Sequence, residues 1–383
     1  MSTHTHAADL LVRAGRIVCR EAGLDGPGAV AIRRGRIVAS GPEVDIPAQQ
    51  VVELPEGDVL LPGLVDLHAH PDRRANGSRY GVDPDRELLP RGTTTVLSQG
   101  DAGSSDWQAY KSATIGLART RILVALNIGR YGEQGEKPAL EDRAAVDVDR
   151  CARAIARDAG RIWGIAVNTS RAVTGTNDPR EILDRALQAA NAVEVPIMLG
   201  SRREADVPLD EQLALLREGD ILTYCFAGGP ESLIGEDGQV RASARAARDR
   251  GVIFDVGHGM MSFDWSVAEA AIAQGFPPDT ISTDQYRRHV GSDPQHDLPR
   301  TFSKLIAAGM PEADAFHAAT GRPADLIGIA SEVGTLRVGG IGDLCAVRWN
   351  PDGRLADTQG VTRPGGCWEP VFVALAGDLV TGG

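Results

Sequence analysis

Residues 61–70 read Leu-Pro-Gly-Leu-Val-Asp-Leu-His-Ala-His, and the fold is read outward from them. Leu64, Val65 and Leu67 spell a short buried strand that begins after the Pro62-Gly63 turn. Side chains two apart on a strand share a face, so His68 and His70 project together at its end. Two imidazoles on one face suit a shared metal ion or a shared substrate group. A polar loop, 71–85, follows at once and places the pair at a strand exit.

Downstream, apolar runs of strand length recur at 93–98, 121–127, 162–167, 196–200, 220–226, 251–257 and 279–283. Helical patterns at 143–158, 179–193, 243–250 and 266–274 fall between several of them. With the run at 63–68, this alternation predicts an α/β chain, a (β/α)8 TIM barrel over 62–334. In such a barrel the functional residues sit at the carboxyl ends of the strands. Residues 9–60 and the C-terminal stretch instead alternate with period two between glycine turns. These ends predict one small β-sandwich domain built from 1–61 and 335–383.

Composition narrows the function. The net charge of −12 argues against nucleic acid or an anionic membrane as the main partner, while leaving room for a small acidic substrate. Five cysteines form no CxxC pair and no even framework, which fits a reducing cytoplasm. Neither a leader pattern nor a run of membrane-spanning length is read. His4 and His6 belong to a polar tail expected to be disordered.

Longer motifs then carry a resemblance: LPGLVDLHAH, GVDPDRELLPRGTTTV (81–96), ARTRILVALNI (118–128), GDILTYCF (219–226), FDVGHG (254–259) and AIAQGFPPDTISTD (271–284). In these the chain resembles the dihydroorotase-like deacetylase branch of the amidohydrolase superfamily. The resemblance implies two divalent metals held by the HxH pair, a carboxylated lysine, two further histidines and an aspartate. His68, His70 and Asp284 match that pattern, and His258 is retained within FDVGHG. The other positions depart from it. Ala166 stands where the lysine is expected, Leu199-Gly200 follows Pro196-Ile197-Met198 where a histidine is expected, and Tyr224 replaces the histidine before Cys225-Phe226. None of Lys111, Lys137 and Lys304 lies on a predicted strand.

A bridged pair of metals needs a shared anionic ligand, which Ala166 and Gly200 cannot supply. The expectation is therefore at most one ion, zinc for example, on His68, His70 and Asp284, or a site without metal. Asp284, His258 and Tyr224 are the candidate catalytic residues, as general base, second base and oxyanion donor. Arg171, Arg287, Arg288 and His289 are candidates to bind a substrate carboxylate. His289 or His296 is also a possible substitute ligand, although exposed loop histidines are commoner. Asp101 reads as a turn residue, Cys225 as packing, and His317 as a core or capping residue.

Three functions stay open at this point. The first is a deacetylase-type hydrolase of an amide or ester bond in a small substrate carrying a carboxylate. The second is a metal-independent, lactonase-like barrel hydrolase, and the third a non-catalytic homologue acting in binding or assembly. Family habit suggests a homo-oligomer.

Overall fold

The computed structural model describes residues 7–74, 80–133 and 138–380; His4, His6 and Lys137 lie outside the described residues. Seven parallel strands form the centre: Leu64–Ala69, Thr93–Gly103, Arg121–Asn127, Ile162–Asn168, Ile197–Gly200, Ile221–Thr223 and Ile253–Phe254. They pair in chain order, with Met198 opposite both Ala166 and Ile221. An irregular eighth segment closes the ring, for Thr280 bridges to Asp255 and Gln285 bridges to Ala69. Its backbone bonds run both ways: Ile281 and its neighbours feed one side through His258 N to Ser282 O, and Asp284 N reaches His68 O on the other. Asp284 has φ of 48°, in the left-handed region, so the segment cannot continue as regular strand there.

Period two along these strands separates two cores. Val65, Leu67, Leu97, Ala125, Ala166, Met198, Ile221 and Ile253 form one cluster, plugged by Ala324, Ile327 and Val333. Their neighbours Leu64, Val96, Val124, Ile165, Leu199 and Phe254 belong to another, packed with the surrounding helices. Each helix enters that second core by an apolar stripe. In Pro179–Ala192 the buried face is Ile182, Leu183, Ala186, Ala189 and Ala190, and the Asp178 carboxylate accepts from Arg180 N as cap. The helices Val148–Arg157 and Trp265–Ala273 are capped in the same way by Asp147 and Asp264. Burial of each such leucine or isoleucine contributes about 2 kcal/mol, which is why the stripe fixes helix orientation.

Both chain ends build a separate sheet. Ala8–Cys19, Leu24–Arg33, Arg36–Gly41, Ala48–Glu53 and Asp58–Pro62 join Leu344–Asn350, Cys367–Leu375 and Asp378–Leu379. Asp58–Pro62 is the seam, parallel to Ala8–Cys19 and antiparallel to Leu344–Asn350. It runs through Gly63 into the first barrel strand, so the sheet anchors the strand that carries the two histidines.

Candidate active site

At the carboxyl end of the barrel, ligand atoms of His68, His70 and Asp284 all lie within 4.8 Å of one another. Among the described residues this is the one such group of histidine, cysteine or acidic side chains. Asp284 Oδ1 is 3.2 Å from His70 Nε2 and 3.4 Å from His68 Nε2. The far nitrogens are fixed by other strands. His70 Nδ1 meets Asp101 Oδ1 at 2.9 Å, and His68 Nδ1 meets Thr223 Oγ1 at 2.9 Å. Asp101 is thus a fully buried member of the second barrel strand, a correction to its reading as a turn residue.

The electrostatics differ between the two rings. Burial holds the pKa of His68 down at about 4, against the attraction of Asp284, so the ring is neutral. Its Nε2 is buried and makes no hydrogen bond. For His70 burial also opposes charge, but Asp101 and Asp284 outweigh it and raise the pKa well above the usual value. Asp66 joins the ligand-bearing segments from below: it accepts from His68 N at 3.1 Å and from Thr283 N and Oγ1 at 3.1 and 2.6 Å.

An orphaned neutral imidazole nitrogen beside a carboxylate, with both distal nitrogens anchored, fits a single divalent ion. The donor set of a second ion does not fit. Ala166 contributes only a methyl group to the interior cluster. A Cβ on Gly200 would already sit 3.0 Å from both Asn168 Cγ and Tyr224 Cε2, so those side chains fill the space. Tyr224 packs against His68 with ring centroids 5.2 Å apart and holds φ at 67°, a strained value for a tyrosine.

His70 and Asp284 open into a cleft of about 110 Å³, lined further by Tyr80, Glu133, Asn168, Arg203, Tyr224 and Tyr286. Burial raises the Tyr224 phenol well above its usual pKa, so it stays a proton donor. Arg203 is the arginine in the wall, placed 5.2 Å over the Tyr224 ring, with Nη1 donating to Met261 O at 2.9 Å. Among the described residues no carboxylate forms an ion pair with it. Its neighbour Arg202 is buried and committed, to Asp206 at 2.6 Å and Thr169 O at 3.0 Å.

The structure brings His68, His70, Asp284 and Tyr224 together and sets the other expected residues apart. Arg171 is exposed and pairs with Asp206 at 3.4 Å. Arg287 and Arg288 are exposed, and Arg287 Nε reaches Gly81 O. His289 is buried behind the cleft, its ring 4.5 Å from Tyr286 and 4.0 Å from His296. His296 Nε2 bonds Thr283 O at 2.9 Å, and neither histidine joins the ligand group. His258 has both nitrogens engaged, Nδ1 on Gly259 O at 2.7 Å and Nε2 on Lys304 Nζ at 2.8 Å, and it stacks on Phe263.

Asp255, Gly257 and Gly259 matter more than the histidine of that same motif. Asp255 accepts hydroxyl bonds from Thr223, Thr280 and Ser282 at 2.8, 2.7 and 2.6 Å. A Cβ on Gly257 would lie 2.1 Å from Thr223 Oγ1, and one on Gly259 would lie 2.3 Å from Asp284 Oδ2. Both glycines also have positive φ, so the motif is bare backbone shaped around the site. Asp255, Thr223 and Arg203 were not picked out from the sequence; the two glycines of FDVGHG are the one signal there that fits a close backbone approach.

Comparison with known proteins places this arrangement. No family model matches the chain. A deacetylase of Agrobacterium fabrum is 32% identical over 350 residues, covering 90% of this chain and 84% of that protein. One from Enterococcus faecalis is 30% identical over 359 residues, covering 93% and 94%. Among solved structures, an adenine deaminase superposes with a TM-score of 0.87 at 28% identity, covering 97% of this chain and 99% of the other. A dihydroorotase gives 0.87 at 29% identity, with 97% of each chain covered. Barrel and paired histidines define an amidohydrolase-type fold, and the chain belongs to the deacetylase branch of the amidohydrolase superfamily.

Proposed function

We propose that this protein is a deacetylase-type hydrolase cleaving an amide or ester bond in a small acidic substrate. The observation that carries this reading is the His68, His70 and Asp284 group opening into a cleft walled by Tyr224 and Arg203. One divalent ion, zinc in the simplest case, would be held by those three residues and would supply carbonyl polarisation and a more acidic water. The chain does the rest. Asp284 takes the proton from the attacking water and returns it to the leaving nitrogen or oxygen. Tyr224 donates its phenol hydrogen to the oxyanion that forms on the acyl carbonyl. Arg203 presents its guanidinium to the substrate carboxylate, a bidentate match. Free, buried cysteines throughout suit a reducing cytoplasm.

A second reading draws on the two contacts of His70. His70 bonds both Asp101 and Asp284 and is pushed toward the charged form, an arrangement that serves proton transfer without metal. Metal analysis together with a panel of N-acyl amino acids, acylated hydroxy acids, lactones and cyclic amides separates the two. The expected result is hydrolysis of acylated acids, with about one ion per chain that His68→Ala abolishes. Full activity in chelator with no ion bound favours the second reading, and silence of the metal-loaded protein across the panel sinks both.

Within the panel, Arg203→Met should raise KM about tenfold or more for acidic substrates and leave neutral analogues unaffected. Tyr224→Phe should lower kcat by about tenfold or more with KM nearly constant. Unchanged constants in either variant remove that residue from its role.

A further inference from the structure

We infer that Thr223 and Asp255 form a relay that orients His68 for its ligand, so the two histidines of the pair are positioned by unlike means. This rests on the proposed metal-holding role of His68, and it concerns residues that never touch substrate. The geometry is a chain of buried groups. Asp255, Thr223 and His68 are all fully buried. A carboxylate only accepts, and Asp255 gathers three hydroxyl donors: Thr280 on Oδ1, and Ser282 and Thr223 on Oδ2.

Thr223 has a single hydroxyl proton, and the carboxylate is a stronger acceptor than an imidazole nitrogen. With that proton on Asp255, the Thr223 oxygen faces His68 Nδ1 at 2.9 Å as an acceptor. The proton of that contact therefore belongs to His68 Nδ1. His68 Nε2 is left with its lone pair, and this is the nitrogen that has no hydrogen-bond partner and faces Asp284. Relay and orphan are two ends of one tautomer.

Space around the relay is cut to fit. Gly257 takes φ of 49°, and a Cβ there would come within 2.1 Å of Thr223 Oγ1. A side chain at 257 would push the hydroxyl out of line between His68 and Asp255. His70 is served differently, by direct contact with Asp101, whose other oxygen takes Ser98 Oγ at 2.7 Å. A direct carboxylate makes its imidazole more basic than a hydroxyl does, so His70 is the more basic of the two rings.

The test measures zinc affinity of the full-length protein by competition with a chromogenic chelator. Thr223→Val keeps the branched shape and removes the acceptor, and it should weaken zinc binding by about ten- to a hundredfold. Thr223→Ser restores the hydroxyl and should stay within about threefold of the parent. Thr223→Ala removes the same acceptor if the valine variant does not fold, and thermal melts confirm that each variant is native. Parental affinity in folded Thr223→Val or Thr223→Ala, while His68→Ala loses the ion, overturns the relay alone. Parental affinity in His68→Ala overturns the metal-holding role and the relay with it.

Discussion

Asp284→Asn is expected to lower kcat by about a thousandfold while leaving the protein folded. The fold should survive because asparagine tolerates the left-handed backbone that Asp284 adopts, at φ of 48°, better than most residues. It also keeps the side-chain shape pressed against Gly259, where no Cβ fits. What disappears is the charge between His68 and His70 and, among the described residues, the one acidic oxygen within 3.4 Å of both. An amide cannot accept the proton of the attacking water, and it is a poorer ligand. Steady-state kinetics on the best acyl substrate, with metal content measured alongside, checks this. A fall in kcat with the ion retained assigns Asp284 to proton transfer, and a fall with the ion lost assigns it to holding the ion. Turnover within about threefold of the parent would remove Asp284 from the mechanism.

The strand that ends in His68 and His70 was legible because its signals are local: a turn, an apolar run and a period of two. The helix expected at 179–193 came through as Pro179–Ala192, capped by Asp178, whereas the one expected from 143 begins as α-helix only at Val148, capped by Asp147 after a separate short turn at Arg143–Ala145. The run expected as a strand at 279–283 lies in the right place but is an irregular segment tied to its neighbours by single bridges, and the positive φ at Asp284 ends any extended course just beyond it. Supporters of the site were harder to see. Asp101 and Thr223 lie on different strands and Asp255 just past a third, and only the barrel register brings Asp101 and Thr223 to the histidines and Asp255 to Thr223. FDVGHG drew attention to its histidine, whereas in the structure Gly259 packs on Asp284, and Gly257 and Asp255 pack on Thr223, the partner of His68. The place of the arginines was hidden for a related reason. Arg171 and Arg203 both follow barrel strands, but Arg171 is exposed and pairs with Asp206 while Arg203 lines the cleft, a difference set by loop conformation that the sequence does not spell.

Lys304 leads to the other large effect, on stability. Its ammonium lies in the helix Leu298–Ala307, buried, against His258 and over the Phe263 ring. Burial and then the nearby Arg300 push its pKa down to about 7, with Asp357 and Asp297 only partly opposing. An unfolded lysine titrates near 10.4, so between pH 7 and about 10.4 the unfolded chain binds more protons and stability rises with pH. Below that window both states are charged and the full burial penalty is present. Lys304→Met removes the charge and keeps the straight apolar stem, at the cost of leaving His258 Nε2 without its donor. The variant should therefore be more stable than the parent by about 2–4 kcal/mol at pH 6.5. That advantage should shrink by about 3 kcal/mol by pH 9.5, as the parent sheds its buried charge. Urea melts at the two pH values measure it. An advantage that grows with pH, or a variant less stable than the parent at pH 6.5, would show that Lys304 is held charged by its surroundings, with the acids Asp297 and Asp357 outweighing burial.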